Sequence, residues 1–367
     1  MSKFLVVGAG LYGSVCAQEL ARRGHSVLVV EKRSHIAGNC YTRYSTAANC
    51  HEHVYGAHIF HTNAPRVWDY INRFASFNRY VNRVKVRHGE ALYSFPINLF
   101  TLYQVFGVKT PDEARARIAA EREVIAEPAN LEEYCLAMVG RRIYEIFIEG
   151  YTAKQWNRHP RELSADIIKR IPIRFNFDDN YFNDRFQGIP IGGYTALFER
   201  LLEGIPVECG VDFDADREAW MRRADYVIYT GSLDSFFDYA DGPLDYRSLR
   251  FERELVDTPD FQGNAVVNYA ARDVPYTRIL EHKHFDLTLG GEKTLITREY
   301  PDDWAPGKTA YYPVHTPETL ARFERYRARA KRLEGKVHFG GRLGEFRYYD
   351  MHQVIGAALS WLDKHAE

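Results

Sequence analysis

The chain has 367 residues, more than the roughly 250–300 at which a single hydrophobic core stops growing, so two or three sub-domains are expected. Lys and Arg total 48 against 49 Asp and Glu, a formal charge of −1, so no global field favours nucleic acid or an anionic membrane, and any basic residue that matters acts locally. Cys16, Cys40, Cys50, Cys135 and Cys209 form no C-x-x-C pair and no apolar run approaches about 18 residues, which leads us to expect a cytoplasmic protein without a disulfide framework or membrane span.

In chain order, Lys3 to Val7 reads as a strand that enters a glycine turn, Gly8-Ala-Gly10-Leu11-Tyr-Gly13, and then a helix. Ser26 to Glu31 reads as a second strand with an acidic end. Gly8 permits the sharp bend, Gly10 lets backbone approach a pyrophosphate, and Gly13 lets the helix pack on the strand. Glu31 stands 23 residues after Gly8, near the separation of about 20 at which a carboxylate accepts from a ribose 2′-OH and repels a 2′-phosphate. Lys32 and Arg33 follow it, and Ala37-Gly38-Asn39 forms a further turn. Residues 31–63, rich in His, Gly, Asn and Tyr, suit a loop-rich cover over a ligand, although 42–49 matches no recognisable pattern.

Leu131 to Ile148 has helical apolar periodicity, and a largely helical domain is expected over about 98–182. Phe251 to Val256, Ala265 to Tyr269 and Thr294 to Tyr300 carry the β-branched and aromatic enrichment of an antiparallel sheet. Tyr226 to Gly231 and Val337 to Gly341 are short apolar runs ending in glycine, the form of buried strands that deliver backbone to a cofactor. Gly341-Arg342 and the amphipathic stretch from Met351 to Leu362 would bring the C-terminus back to the first sheet. The expectation is an α/β fold with a discontinuous Rossmann-like dinucleotide domain (1–75, 195–232 and 313–367), a helical domain (98–182) and an antiparallel sheet domain (76–97, 183–194 and 233–312). The second glycine turn and the closing Gly-Gly-Arg favour FAD over NAD. His51, His53, His58 and His61 near Cys50 lack zinc spacing, and no metal is expected.

Gly56-Ala-His58-Ile59-Phe-His61, Gly150-Tyr151-Thr152-Ala-Lys154-Gln-Trp156, Lys169-Arg170-Ile-Pro172, Asn180 to Pro190, Pro275-Tyr-Thr-Arg278, Glu281 to Phe285, Tyr311-Tyr312-Pro313 and Tyr348-Tyr-Asp350-Met351-His352 resemble, in order, motifs of bacterial UDP-galactopyranose mutases. The chain departs from the family's usual pattern at Ala37 and at Phe186. The resemblance implies a flavoenzyme interconverting UDP-galactopyranose and UDP-galactofuranose, in which N5 of reduced FAD attacks the anomeric carbon and UDP leaves and returns with no net redox change. It implies Arg170 and Arg278 on the diphosphate, Arg170 from a mobile loop, with His61 against the flavin and Asp350 near sugar and flavin. Tyr151 would stack on uracil with Phe147 and Thr152 beside it, Trp156 would line the galactose pocket, and Tyr181, Tyr312 and Tyr348 would donate to phosphate oxygens. Asn82 and Asn268 are further ligand contacts. Gly8, Gly10, Leu11, Gly13, Glu31, Lys32, Arg33, Gly38, Asn39, His58, Ile59, Gly341, Arg342, Asp350 and Met351 would hold FAD. A homodimer and a reductant, NAD(P)H or a reductase, are implied too. A UDP-N-acetylgalactosamine mutase, a flavin amine oxidase-like oxidoreductase and an idle flavin-binding scaffold are the alternatives.

Overall fold

The structure is a computed structural model that describes residues 1–169 and 172–365. Five parallel strands form one sheet in the order Val337–Phe339, Tyr226–Tyr229, Lys3–Val7, Ser26–Glu31, Val207–Cys209. Side chains alternate between its faces, as the strand period of two demands. Val6 and Val29 pack on one side with Val15, Cys16 and Leu20 of the helix Leu11–Arg22 and with Ile355 and Ala358 of the helix Met351–His365. Leu5, Val7 and Val30 pack on the other with Phe213, Val227, Tyr229 and Phe236. Cover on both faces explains why these strands are almost uniformly apolar. The chain is thus a mixed α/β protein whose Rossmann-like sheet draws strands from its start, middle and end.

A second sheet has seven strands in the order Tyr312–Pro313, Tyr246–Val256, Thr294–Asp303, Arg278–Glu281, Val266–Tyr269, Val84–His88, Ala91–Phe95. All neighbours are antiparallel except Val266–Tyr269 with Val84–His88. Phe186–Gly188 does not join this sheet; it pairs with Phe60–Thr62, and Gly188 lies so close to Asn78 that a Cβ would sit 2.5 Å from its carbonyl oxygen.

Residues 99–156 supply helices with strong start signals beside the second sheet. Asn98 and Thr110 each form a capping box, on Leu99–Phe106 and Pro111–Glu121, and Asn130 caps Leu131–Val139. The single helix expected over 131–148 is broken. Gly140 adopts φ 78° against the Glu121 carbonyl, where a Cβ would meet oxygen at 2.3 Å, and the chain restarts as Arg141–Tyr144, a π-helical turn Glu145–Glu149, and Gly150–Trp156. Apolar periodicity runs through the break, so it was invisible in the pattern. Residues 42–49, which match no sequence pattern, open the hairpin Thr42–Ser45 with Cys50–His53. Its anchors are distant: Thr195 Oγ1 donates to the Thr42 carbonyl at 2.6 Å, and buried Glu52 pairs with Arg43 and Arg253.

Among the described residues no helix is long and apolar enough to cross a membrane. Gly13 is the tightest point of the first turn, since a Cβ there would lie 2.0 Å from the Gly8 carbonyl oxygen. Gly13→Ala should therefore cost about 1–3 kcal/mol through overpacking. Thermal denaturation checks this, and an unchanged midpoint would show that the strand and helix do not need the close approach.

Candidate functional site

The N-terminal turn is built from backbone. Gly8 has φ 103°, and its N–H donates to the Val30 carbonyl at 2.8 Å. Glu31 ends its strand with one carboxylate oxygen on the turn and the other on its own following backbone: Oε2 accepts from Ala9 N at 2.8 Å and Oε1 from Arg33 N at 2.8 Å. The Ala37–Asn39 turn folds over Gly10, and a Cβ on Gly38 would stand 3.0 Å from Gly10 Cα. Gly38, at φ 53°, is the glycine this approach favours; a Cβ on Gly10 would meet Gly38 Cα only at 3.9 Å. Arg33 donates to Asn39 Oδ1 at 2.8 Å and lies 4.2 Å over the Tyr55 ring, while its buried Nη1 has no hydrogen-bond partner in the protein. Lys32 turns elsewhere, to Asp212 at 2.8 Å, and is mostly exposed.

The C-terminal return closes the same region. Gly341 has φ 81° and packs on Tyr12 of the first turn. Arg342 donates to the carbonyls of Tyr311 and Tyr349 and lies 5.3 Å over the Tyr348 ring, so it ties the return to the second sheet. Leu11, Ile59 and Met351 pack at the edge of the main core, and Cys40 Sγ contacts Met351 Sδ at 3.7 Å.

On the second sheet, Asn268, Arg278 and Glu299 stand directly opposite one another on three adjacent strands and so share one face. Glu299 is fully buried and holds Arg278 Nη2 at 2.8 Å; Arg278 keeps 22% of its side chain exposed. Arg278 Nε, Glu299 Oε2 and Asn268 Oδ1 are buried without a hydrogen-bond partner in the protein. Burial works against the guanidinium, but Glu299 first, then Tyr151 and Tyr312, more than offset it and hold its pKa well above the ordinary range.

Large half-buried aromatics surround this row, as befits cleft walls. Trp156 lies 6.5 Å from Tyr312, which stacks at 5.7 Å on Tyr348. Burial pushes the Tyr151 hydroxyl up to about 12, with Arg278 pulling the other way, and Tyr181 and Tyr348 lie within electrostatic reach. Tyr181 meets Phe182 edge-on at 5.1 Å, and Phe182 stacks on His61 at 3.7 Å. Thr152 is buried beside Tyr151. Asn82 is buried too, its carbonyl accepting from Tyr181 N at 2.8 Å and its Oδ1 from Tyr80 at 3.2 Å. Phe147 lies in the core between Tyr93 and Phe95, at 5.3 and 6.0 Å, with its ring already committed. Arg170 lies outside the described residues.

His61 is held through Nδ1 by Asp184 and meets His352 edge-on at 5.0 Å. Ligand atoms of His61, Asp350 and His352 come within 4.8 Å of one another, at the start of the last helix, where Asp350 N donates to Gln353 Oε1 at 2.9 Å. His53, His58 and His282 pack together away from this group, with His58 N donating to His53 Nδ1 at 3.1 Å. His53 stacks on Phe285 at 4.4 Å, and its N–H reaches His282 Nδ1 at 3.2 Å, while His58 Nδ1 lies 2.9 Å from the Gly56 carbonyl. Burial pushes His58 and His282 down to about 4 and His53 well below its usual value. These are neutral, load-sharing core groups.

The sequence reading missed Glu299, Asp184 and Phe182. Asp184 and Phe182 lay inside a quoted motif. Glu299 had no signal of its own, being one acid on an alternating strand. A cavity of about 510 Å³ lined by Arg22, Arg73 and Arg200 lies at the far end of the helix Leu11–Arg22 and shares no residue with the site. Its arginines are occupied, two by Glu19 and the third by the Phe74 carbonyl.

The turn, the parallel sheet and the second glycine cradle define a dinucleotide-binding α/β protein. Accordingly, a description of NAD(P)-binding Rossmann-like domains matches residues 6–74, and that of UDP-galactopyranose mutase matches residues 146–348. The chain is 43% identical over 366 residues to a probable UDP-galactopyranose mutase of Klebsiella pneumoniae, covering 98% of this chain and 94% of that one. It is 37% identical over 366 residues to dTDP-fucopyranose mutase of Escherichia coli, covering 98% and 97%. A crystal structure of reduced UDP-galactopyranose mutase aligns with TM-score 0.75 at 16% identity, covering 100% and 95%, and shares the fold. A putrescine oxidase shares it more loosely, with TM-score 0.54 at 13% identity over 99% of this chain and 98% of its own. The chain belongs to the UDP-galactopyranose mutase family of enzymes.

Two outcomes are expected from this geometry. Arg278→Met leaves Glu299 a buried charge without a partner, at a cost of about 3–5 kcal/mol, and adding Glu299→Gln should recover most of it; chemical denaturation of both variants checks this, and equal stability of the two would deny the coupling. His53, His58 and His282 stay neutral in the fold well below pH 6.5, whereas the unfolded chain takes up protons at about 6.5. Stability present above that pH should therefore be lost as pH falls toward 4, by about 1.4 kcal/mol per unit for each histidine. A denaturation midpoint that is flat from pH 6.5 to 4.5 would contradict their burial.

Proposed function

We propose that the protein interconverts UDP-galactopyranose and UDP-galactofuranose on reduced FAD, with no net redox change. The observation that carries this reading is the Asn268–Arg278–Glu299 row with its unused buried polar atoms, facing a cleft walled by tyrosines. Buried polar atoms in native folds have partners, and a bound anion with oxygens to spare supplies one for Arg278 Nε.

The glycine cradle, Glu31 and the unpartnered Arg33 Nη1 fit a pyrophosphate-linked dinucleotide whose ribose hydroxyl meets the acid. Gly8, Gly10, Gly13, Gly38, Asn39, Arg33, Gly341 and Arg342 are the residues that would hold FAD. Bound and reduced, it would supply a nucleophile at N5 for the anomeric carbon.

The protein's part is position and charge. Glu299 pins one edge of Arg278, so the remaining N–H groups keep a fixed direction toward diphosphate oxygens and toward the charge that grows as the anomeric bond breaks. Arg170 is the second guanidinium in this reading. Tyr151 offers its ring to uracil, a contact worth about 1–3 kcal/mol per base. Tyr181, Tyr312 and Tyr348 present hydroxyl donors to phosphate, Trp156 walls the sugar, and Asp184 fixes the orientation of His61 beside the reacting centre. Asp350 stands next to it at the helix start. The enzyme in this reading is a cytoplasmic homodimer whose electrons come from NAD(P)H or a reductase.

UDP-galactose incubated with the purified protein should give a second sugar nucleotide on chromatography when dithionite is present and none under oxidising conditions. Conversion in neither sample, or stoichiometric consumption of an electron acceptor, would overturn the reading.

A further inference from the structure

One quoted motif carries a residue that the chemistry above does not use. Lys154 lies on the helix Gly150–Trp156, three residues from Tyr151, and its ammonium donates to four carbonyls: Tyr269 at 2.7 Å, Ala271 at 2.8 Å, Val274 at 2.9 Å and Tyr276 at 3.0 Å. These carbonyls belong to the connection between the strands Val266–Tyr269 and Arg278–Glu281. Its first acceptor adjoins Asn268 and its last is two residues before Arg278. The same connection meets the start of this helix twice more: Arg272 pairs with Glu149 of the preceding π-helical turn at 2.8 Å, and Gly150 is so close to the Ala270 carbonyl that a Cβ would stand 2.2 Å from it.

We infer that Lys154 is a positioning residue: it fixes the spacing between the helix that presents Tyr151 to the base and the strand that presents Arg278 to the diphosphate. The inference rests on the nucleotide-sugar reading above. An ammonium has three N–H groups, and here four convergent carbonyls share them, so the cation gathers the backbone of a turn whose base is closed by Tyr269 N on the Thr277 carbonyl at 2.8 Å and whose Tyr269 and Tyr276 rings meet edge-on at 4.7 Å. An apolar side chain of equal length would fill the place without desolvating a charge; what it would not do is hold both strand ends at a set distance from the helix. That distance matters for a ligand whose base and diphosphate are covalently joined, because the joined halves bind better than the separate ones only when the two subsites match their span.

The test is calorimetry with UDP, uridine and inorganic pyrophosphate on the FAD-loaded wild type and on Lys154→Met. UDP affinity should fall at least tenfold in the variant, while uridine and pyrophosphate affinities each change by less than about threefold, so that the gain from joining the halves is lost. Unchanged UDP affinity would overturn the inference, as would losses of equal size for UDP and uridine, which mark a merely structural tie. If Lys154→Met does not fold, Lys154→Arg keeps the cation but cannot meet four carbonyls with a planar fork. It should show the same selective loss of UDP in smaller measure, and wild-type affinities in that folded variant would equally overturn the inference. Wild-type protein that binds no UDP would instead remove the nucleotide-sugar reading itself.

Discussion

The cleft depends on a single ion pair in the middle of a sheet. Arg278 and Glu299 face each other in register on neighbouring strands, and each strand is also laddered to a further neighbour, so neither backbone can shift to relieve the pair. Glu299 has no access to water. One carboxylate cannot satisfy a guanidinium, which has five N–H groups, and an unmet buried polar group costs about 1–3 kcal/mol. The fold therefore keeps a cation whose position is fixed and whose hydrogen bonding is incomplete. Anionic oxygens complete it without any reorganisation of the sheet, which is the condition under which electrostatic stabilisation of a leaving group is most effective.

The dinucleotide end of the molecule works by the opposite means. There the glycine turn contributes no charge and almost no side chain; what it offers is proximity. Gly13 leaves no room for a Cβ against Gly8, Gly38 approaches Gly10 closely, and Glu31 braces the turn through the Ala9 N–H. The two ends are joined by Arg342, which bridges carbonyls of Tyr311 and Tyr349 while lying over Tyr348. An arginine expected to touch cofactor thus also holds the sheet edge and the C-terminal return together. Truncating it would disturb both halves, so a loss of activity in such a variant cannot by itself assign a contact.

Legibility followed the range of the interactions. The parallel strands, the first turn and the antiparallel strands at 251–256, 265–269 and 294–300 were readable because period and composition are local properties. The break at Gly140 was not, since what requires its positive φ is the carbonyl of Glu121, nineteen residues earlier and on another helix. The hairpin opened by residues 42–49 was opaque for the same reason: its partners are Thr195 and Arg253. Glu299 and Lys154 were present in the text but had no roles there. A carboxylate becomes the partner of Arg278 only through strand register, and a lysine becomes a clamp only when four carbonyls from another element converge on it. The histidines near Cys50 lacked zinc spacing, and what the spacing could not tell was their partners: His53 accepts from His58 N and stacks on Phe285, whereas His61 turns to Asp184.

Local charge in a nearly neutral chain has a further consequence. With a formal net charge of −1, the protein has no long-range attraction for a diphosphate, and an anion gains little from approaching its surface. The attraction has to arise at short range, where Arg278 sits among Tyr151, Tyr312 and a dry Glu299 and the effective dielectric is far below that of water. Glu299 cancels much of the guanidinium's charge at a distance while leaving its hydrogen-bonding geometry intact close by. Such a site discriminates by fit, since an anion that reaches it gains from paired oxygens and a stacked ring, whereas one that only drifts past meets almost no field. In the reading proposed above, where the diphosphate leaves and returns to the same place, directional contacts that can be remade serve better than a strong field that would hold the departed group wherever it first came to rest.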